Sequence, residues 1–177
     1  MPALKSYSID LRLPYIGGIK GTWEPDKSER KASWEMYIEL ITRISVAELR
    51  PDEGLLREAL NSLYTLFGTT RGILRQYGPS VAQPKGKGKL SFGYLAVAIL
   101  NTVLRPVLAK WHPLLLDYEH SKERAISPLE HERSWDKHDE LRQILNEVRA
   151  SLIKYACILA QVAEVPPLIV ERTDKSP

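Results

Sequence analysis

Cysteine is almost absent from this chain, with Cys157 the only one in 177 residues. One thiol can build neither an internal disulfide framework nor a site of paired thiolates, so a reducing compartment, and hence a cytoplasmic location, is expected. The first residues, MPALKSYSIDLRLP, hold no run of seven apolar side chains such as a secretory signal needs, and no lipidation motif is present at either end. Residues 90–116 are the most apolar part, but their uninterrupted run is about 15 residues before Arg105 and Lys110, short of the roughly 18 a membrane span requires, so a core helix is expected. No internal repeat of solenoid length is visible. Phosphate-loop chemistry is lacking too, because Gly86-Lys87-Gly88-Lys89 does not have the G-x-x-x-x-G-K-[S/T] frame.

What is present is the composition of a folded globular protein, 44% hydrophobic and 27% charged. The length suits one domain, 1–177, able to bury a core without a disulfide or structural metal. The net charge of +3 is local: Lys85, Lys87 and Lys89 equal the whole excess.

Alternation over 5–13, with Tyr7, Ile9, Leu11 and Leu13 on one side, predicts a half-buried strand ending at Pro14, and Ile19–Trp23 could return as a second to complete a β appendage over 5–23. Helical periodicity then predicts four long elements. The first, 26–48, opens with Asp26 and Glu29 as a capping box and carries Trp34, Tyr37, Ile38, Ile41, Ile44 and Ser45 as its stripe. After a break at Pro51, the second, 52–77, places Leu56, Leu60, Leu63, Phe67, Leu74 and Tyr77 inward and stops at Gly78-Pro79. Gly68 and Gly72 in its interior point to a close helix crossing or a kink. Residues 79–89, PSVAQPKGKGK, read as an exposed flexible basic loop. The third helix, 91–118, is apolar nearly all round and should kink or break at Pro106 and Pro113. The fourth, 128–163, has Ser127 as N-cap, Pro128 at its first position and a stripe of Trp135, Leu141, Leu145, Val148, Leu152, Tyr155, Ala156, Leu159 and Val162. The architecture expected is mainly α, a four-helix up-down-up-down bundle with a proline-kinked central helix. The segment 168–172 is expected to pair with the N-terminal strand, ahead of a polar tail at 171–177.

The segment Arg133-Ser-Trp-Asp-Lys-His138 resembles the R-x(4–6)-H motif of HEPN-type ribonucleases, which are also helical bundles. The resemblance implies that Arg133 holds the scissile phosphate, that His138 is acid or base at the ribose 2′-hydroxyl, and that two copies meet in a metal-independent dimer. It covers those two residues. Arg105 to His112 and Arg124 to His131 repeat the spacing, and a solvated helix face accounts for it better.

Residues 130–140, EHERSWDKHDE, tempt a metal reading, yet His131 and His138 at i, i+7 stand about 10 Å apart on a helix, too far for one ion. Asp117-x-x-His120 has workable spacing but stands alone. Opposite charges on a wet helix explain the cluster. His112, between Trp111 and Pro113, is expected to satisfy a carbonyl freed by the proline, a pocket there being the alternative. Cys157, among Tyr155, Ala156 and Leu159, is expected to be a small buried thiol. No metal or cofactor is expected.

These observations lead first to a non-enzymatic interaction or assembly module, a helical subunit of a larger complex that meets a protein partner or a second copy through a helix face, the basic loop or a strand edge. The HEPN-like ribonuclease with Arg133 and His138 is the second reading. A small nucleic-acid-binding subunit that uses Lys85, Lys87 and Lys89 is the third.

Overall fold

The computed structural model describes residues 5–13, 17–43, 45–46, 50, 52–83 and 85–168. The alternation in the first segment makes strand β1 (Tyr7–Leu13), which buries Ile9, Leu11 and Leu13 and exposes Ser8, Asp10 and Arg12. It pairs antiparallel with β2 (Gly17–Trp23), Leu11 opposite Ile19. The break expected at Pro14 lies outside the described residues. A third strand, β3 (Lys89–Leu90), lies parallel to β2 with Trp23 opposite Leu90. Its approach needs Gly21, where a Cβ would come within 2.8 Å of the Gly88 carbonyl oxygen. So the third strand among the described residues comes from the end of the supposed flexible loop. Of the C-terminal segment expected beside β1, Leu168 is in no strand and donates its backbone N–H to the Tyr37 hydroxyl at 2.7 Å. Residues 169–172, and the tail at 171–177, lie outside the described residues.

Helix α1 (Lys27–Ile41) starts with the expected capping box, Glu29 N–H to Asp26 Oδ1 at 2.9 Å and Asp26 N–H to Glu29 Oε2 at 3.0 Å. Its buried arc, however, is Glu29, Ala32, Ser33, Met36, Tyr37 and Leu40, while Trp34 is 41% exposed. Two polar residues in the buried arc disguised it. Helix α2 (Leu56–Tyr77) ends where Gly78 takes φ 68°, the left-handed region glycine favours. Past Leu63 its buried line is Leu66, Thr70 and Ile73, with Phe67 and Leu74 only partly covered. Gly68 and Gly72 are exposed, with nothing within 4 Å of the position a Cβ would take, so no close crossing explains them.

The segment after α2 is built rather than loose. Gly78–Ala82 form a 3-10 turn that buries Val81 completely. Ser91 then caps α3 (Phe92–Ile99), which runs through a π turn (Leu100–Leu104) into α4 (Arg105–His120). Pro106 supplies no N–H and its ring crowds the carbonyl of Thr102; the wider π turn, with Arg105 N–H donating to Leu100 O, absorbs both without ending the helix. Pro113 sits inside α4, which continues to His120, so neither proline breaks the rod. The 29-residue stretch Phe92–His120 is thereby long and apolar enough to cross a membrane, with 56% of its most apolar window buried inside the fold. The uninterrupted apolar run ends at Arg105, whereas the helix continues to His120.

The expected last helix is two. Ser127 caps α5 (Pro128–Arg133), accepting from Glu130 N–H at 3.1 Å, and α6 (His138–Ala163) follows a turn. The His131 carbonyl is taken by Ser134 N–H and Oγ and by the Tyr118 hydroxyl, while Trp135 N–H turns to Glu132 O at 3.2 Å. The i to i−4 ladder therefore stops. Trp135 is buried in the break, its ring edge-to-face with Trp111 at 6.1 Å and stacked on Tyr118 at 5.4 Å. Beyond it the buried face of α6 carries Leu141, Val148, Leu152, Tyr155, Ala156, Leu159 and Val162, as periodicity implies.

The protein is mainly helical with a small sheet. α1 packs chiefly on α6 and also on α2, α2 touches α4 and α6, and β1 lies against α6. Nearly all the buried apolar side chains join in one cluster, with Trp23, Trp111, Tyr37 and Tyr155 its largest fully buried members.

Among the described residues, two carboxylates are sunk in this core. Glu29, 0% exposed, accepts through Oε1 from Trp23 Nε1 and Phe92 N–H, both at 3.1 Å, and through Oε2 from Asp26 N–H and Lys85 Nζ. Glu132, 5% exposed, accepts from Leu56 N–H at 2.8 Å and Arg57 N–H at 3.4 Å. It caps α2 from 76 positions away, in place of Leu55, which has no side chain able to do so. The charged cluster at 130–140 is thus partly interior.

Glu29→Gln turns an amide NH₂ toward Asp26 N–H and Lys85 in place of an acceptor, and should cost about 3–5 kcal/mol in urea unfolding. Gly68→Ala and Gly72→Ala should each stabilise by up to about 1 kcal/mol, read as a higher melting temperature, because both face open space in an ordinary helix.

Candidate functional site

Helices α2 and α4 run antiparallel, as their cross-pairs show: Arg57 with Glu119, Tyr64 with His112, Phe67 with Arg105. Side chains three and four apart on each wall share a face, so Tyr64, Phe67 and Arg71 look across at Arg105, Leu108, Ala109 and His112. Between them, with Asn61 at one end, lies a groove of about 650 Å³. That volume is in the range of ligand-binding clefts.

The groove is polarised. At one end Arg57 holds the structure together: its Nε and Nη2 grip the Glu119 carboxylate, each at 2.9 Å, and its Nη1 donates to His112 Nδ1 at 2.6 Å. A guanidinium cannot accept, so His112 Nδ1 is the acceptor and the ring proton sits on Nε2, which is buried with no hydrogen-bond partner among the described residues. The ring stands perpendicular to that of Tyr64 at 5.8 Å. Burial, and next the Arg57 charge, push His112 below the usual imidazole range, Glu119 opposing them.

At the other end the cations are uncompensated. Arg105 is fixed by Asn101 Oδ1, at 3.1 Å from Nε and 3.0 Å from Nη2, and its guanidinium lies 5.4 Å over the Phe67 ring. Asn101 orients the group without neutralising it. Arg71 is exposed, and among the described residues it has no ion pair and no carboxylate lines the groove. Tyr64, 63% exposed, leaves an aromatic face open between the two ends.

The candidate site residues singled out by sequence fall elsewhere, except for Arg105, whose spacing to His112 repeats the motif, and His112 itself. Its expected role is corrected: it engages Arg57, not a carbonyl freed by Pro113, and it lines the groove. Arg133 is the last residue of α5 and donates to the Asp52 carbonyl at 2.8 Å; His138 is the first of α6 and sits 2.9 Å from Asp139. The single helix expected to carry both is broken between them. His131 is buried, its ring stacked on Tyr118 at 4.1 Å and its Nε2 2.9 Å from the Tyr118 carbonyl. Lys85 reaches inward to Glu29 and the Glu24 carbonyl, and Lys89 pairs with Glu24 at 2.6 Å, which leaves Lys87 exposed. The basic loop therefore has two of its three charges paired within the molecule, Lys85 with the buried Glu29 and Lys89 with Glu24 at the surface. Cys157 is exposed, not buried, because it lies two positions past Tyr155, off the α6 stripe. Among the described residues no three His, Cys, Asp or Glu side chains are grouped to hold a metal ion.

Sequence reasoning passed over Tyr64, Arg71 and Arg105 as a group. A signal existed: an exposed tyrosine and an arginine at i, i+7 beside the α2 stripe, and Arg105 to His112 at the same spacing on the partner helix. What it lacked was the pairing of the two helices. No family model, curated protein or solved structure matches this chain.

The unfolded chain takes up a proton at His112 near pH 6.5, while the folded ring resists it to lower pH, so stability should fall as the pH drops below that value. His112→Gln keeps an acceptor for Arg57 and removes the titration; chemical unfolding of the two proteins at pH 7 and pH 5 should show a smaller loss in the variant.

Proposed function

We propose that this protein is a non-enzymatic interaction module and that the α2–α4 groove is its contact surface. One observation carries the reading. An open groove holding a 63% exposed tyrosine ring and two arginines with no carboxylate opposite them is a surface poor at satisfying itself and suited to a partner. Aromatic and arginine side chains are the types that dominate binding energy at interfaces.

The remainder of the molecule serves as scaffold in this reading. We take α1, α2, the rod from Phe92 to His120 and α6 as four members of an up-down-up-down bundle, which the antiparallel pairing of α2 with α4 and the packing of α1 between α2 and α6 support. Both groove walls are helices anchored in its core, so the contact residues are held on rigid elements. The protein acts as one domain of a cytoplasmic assembly, with a different protein or a second copy as the partner.

A photo-crosslinking benzoylphenylalanine at position 64 should, on irradiation of cells that contain the protein, give a discrete adduct of higher mass, whereas the same group at Lys154, exposed on α6, should not. Equal or absent adducts at both positions would remove the reading.

A further inference from the structure

Resting on the reading of the groove as a contact surface, we infer that its occupant is an acidic amphipathic helix of a partner protein, its carboxylates on Arg71 and Arg105 and an apolar side chain against Tyr64, Phe67 and Leu108.

Charge selects the acidic partner. Arg105 is already oriented by Asn101 and by the Phe67 ring, so a carboxylate arriving there meets a preset donor fork and loses little order in forming the bond. Arg71 stands beyond Phe67 on the opposite wall, and the two guanidinium charges face a lining that carries no negative one. A neutral partner would leave them facing apolar surface, and a basic one would be repelled.

Backbone chemistry selects the helix. Both walls are α-helices whose main-chain N–H groups are bonded within themselves, so the groove offers no sheet edge. An extended segment laid there would lose water from N–H and C=O groups without gaining partners, whereas a helix brings its own satisfied. The surface beside the groove also suits close approach. Gly68, one turn beyond Tyr64 on the same face of α2, is bare, as is Gly72 one turn further, and each has open space around it. A single nucleic-acid strand could also contact the arginines, but two phosphate contacts alone bind weakly and fade with salt, and the apolar middle of the groove would go unused.

The experiment is a selection of helical peptides from a displayed random library on the full chain, followed by affinity measurement on three proteins: the original, the R71E/R105E double variant and Tyr64→Ala. All altered side chains are exposed, and unchanged thermal melts would certify the folds. The expected result is enrichment of peptides bearing Asp or Glu one or two turns from a Leu or aromatic residue, with affinity falling about tenfold or more in both variants. Binders that need Tyr64 but are indifferent to the charge reversal would overturn the acidic helix and leave the contact surface standing. Binders indifferent to both variants, or no enrichment, would overturn both. A fluorescent 12-nucleotide RNA is titrated in parallel; tight binding lost in R71E/R105E, with no acidic peptide enriched, would overturn the peptide in favour of nucleic acid.

Discussion

The fold turns on a carboxylate that has been taken out of water. Glu29 is fully buried, and a bare charge there would be prohibitively costly, so all four of its donors have to be in place at once. They come from separate parts of the chain: the indole of Trp23 in β2, the amide of Asp26 at the start of α1, the ammonium of Lys85 in the segment after α2, and the amide of Phe92 at the start of α3. One side chain thus fixes the sheet, two helix starts and the course of a long connection. The third strand follows from it, because Lys85 anchors the chain four residues before Lys89 meets β2.

The same economy operates at the other buried carboxylate. Glu132 closes the first turn of α2, and the α5–α6 break brings Trp135 against Trp111 and Tyr118. Arg57, in that first turn, then reaches Glu119 and His112 and sets α4 beside α2. The groove is the space these long-range contacts leave open one to about four turns further along, and the π turn ahead of Pro106 delivers Arg105 to its far end.

Much of this was legible in residue patterns, and the exceptions share a cause. Period-two alternation located β1, and the capping residues Asp26, Ser127 and Gly78 marked helix ends, because such signals act over one turn of chain. The α6 stripe was readable because its buried positions are nearly all apolar. The α1 stripe was misread because Glu29 and Ser33 lie inside it, and a buried carboxylate is recognisable only once its distant donors are known. For the same reason Lys85 and Lys89 looked like free charge and the segment 130–140 like a wet face. The break at Ser134 has no proline or glycine to announce it; it depends on Tyr118, far away in sequence. The groove needed the antiparallel match of two helices, which no single stripe encodes.

Because α2 borrows its cap from α5, the beginning of a 22-residue helix is decided by a side chain that enters the sequence 76 residues later. As the chain is synthesised, the leading amides of α2 are left to water until the segment around Glu132 has emerged and docked. The wall of the groove carrying Tyr64 and Arg71 is completed late, so the surface offered to a partner matures only together with the core.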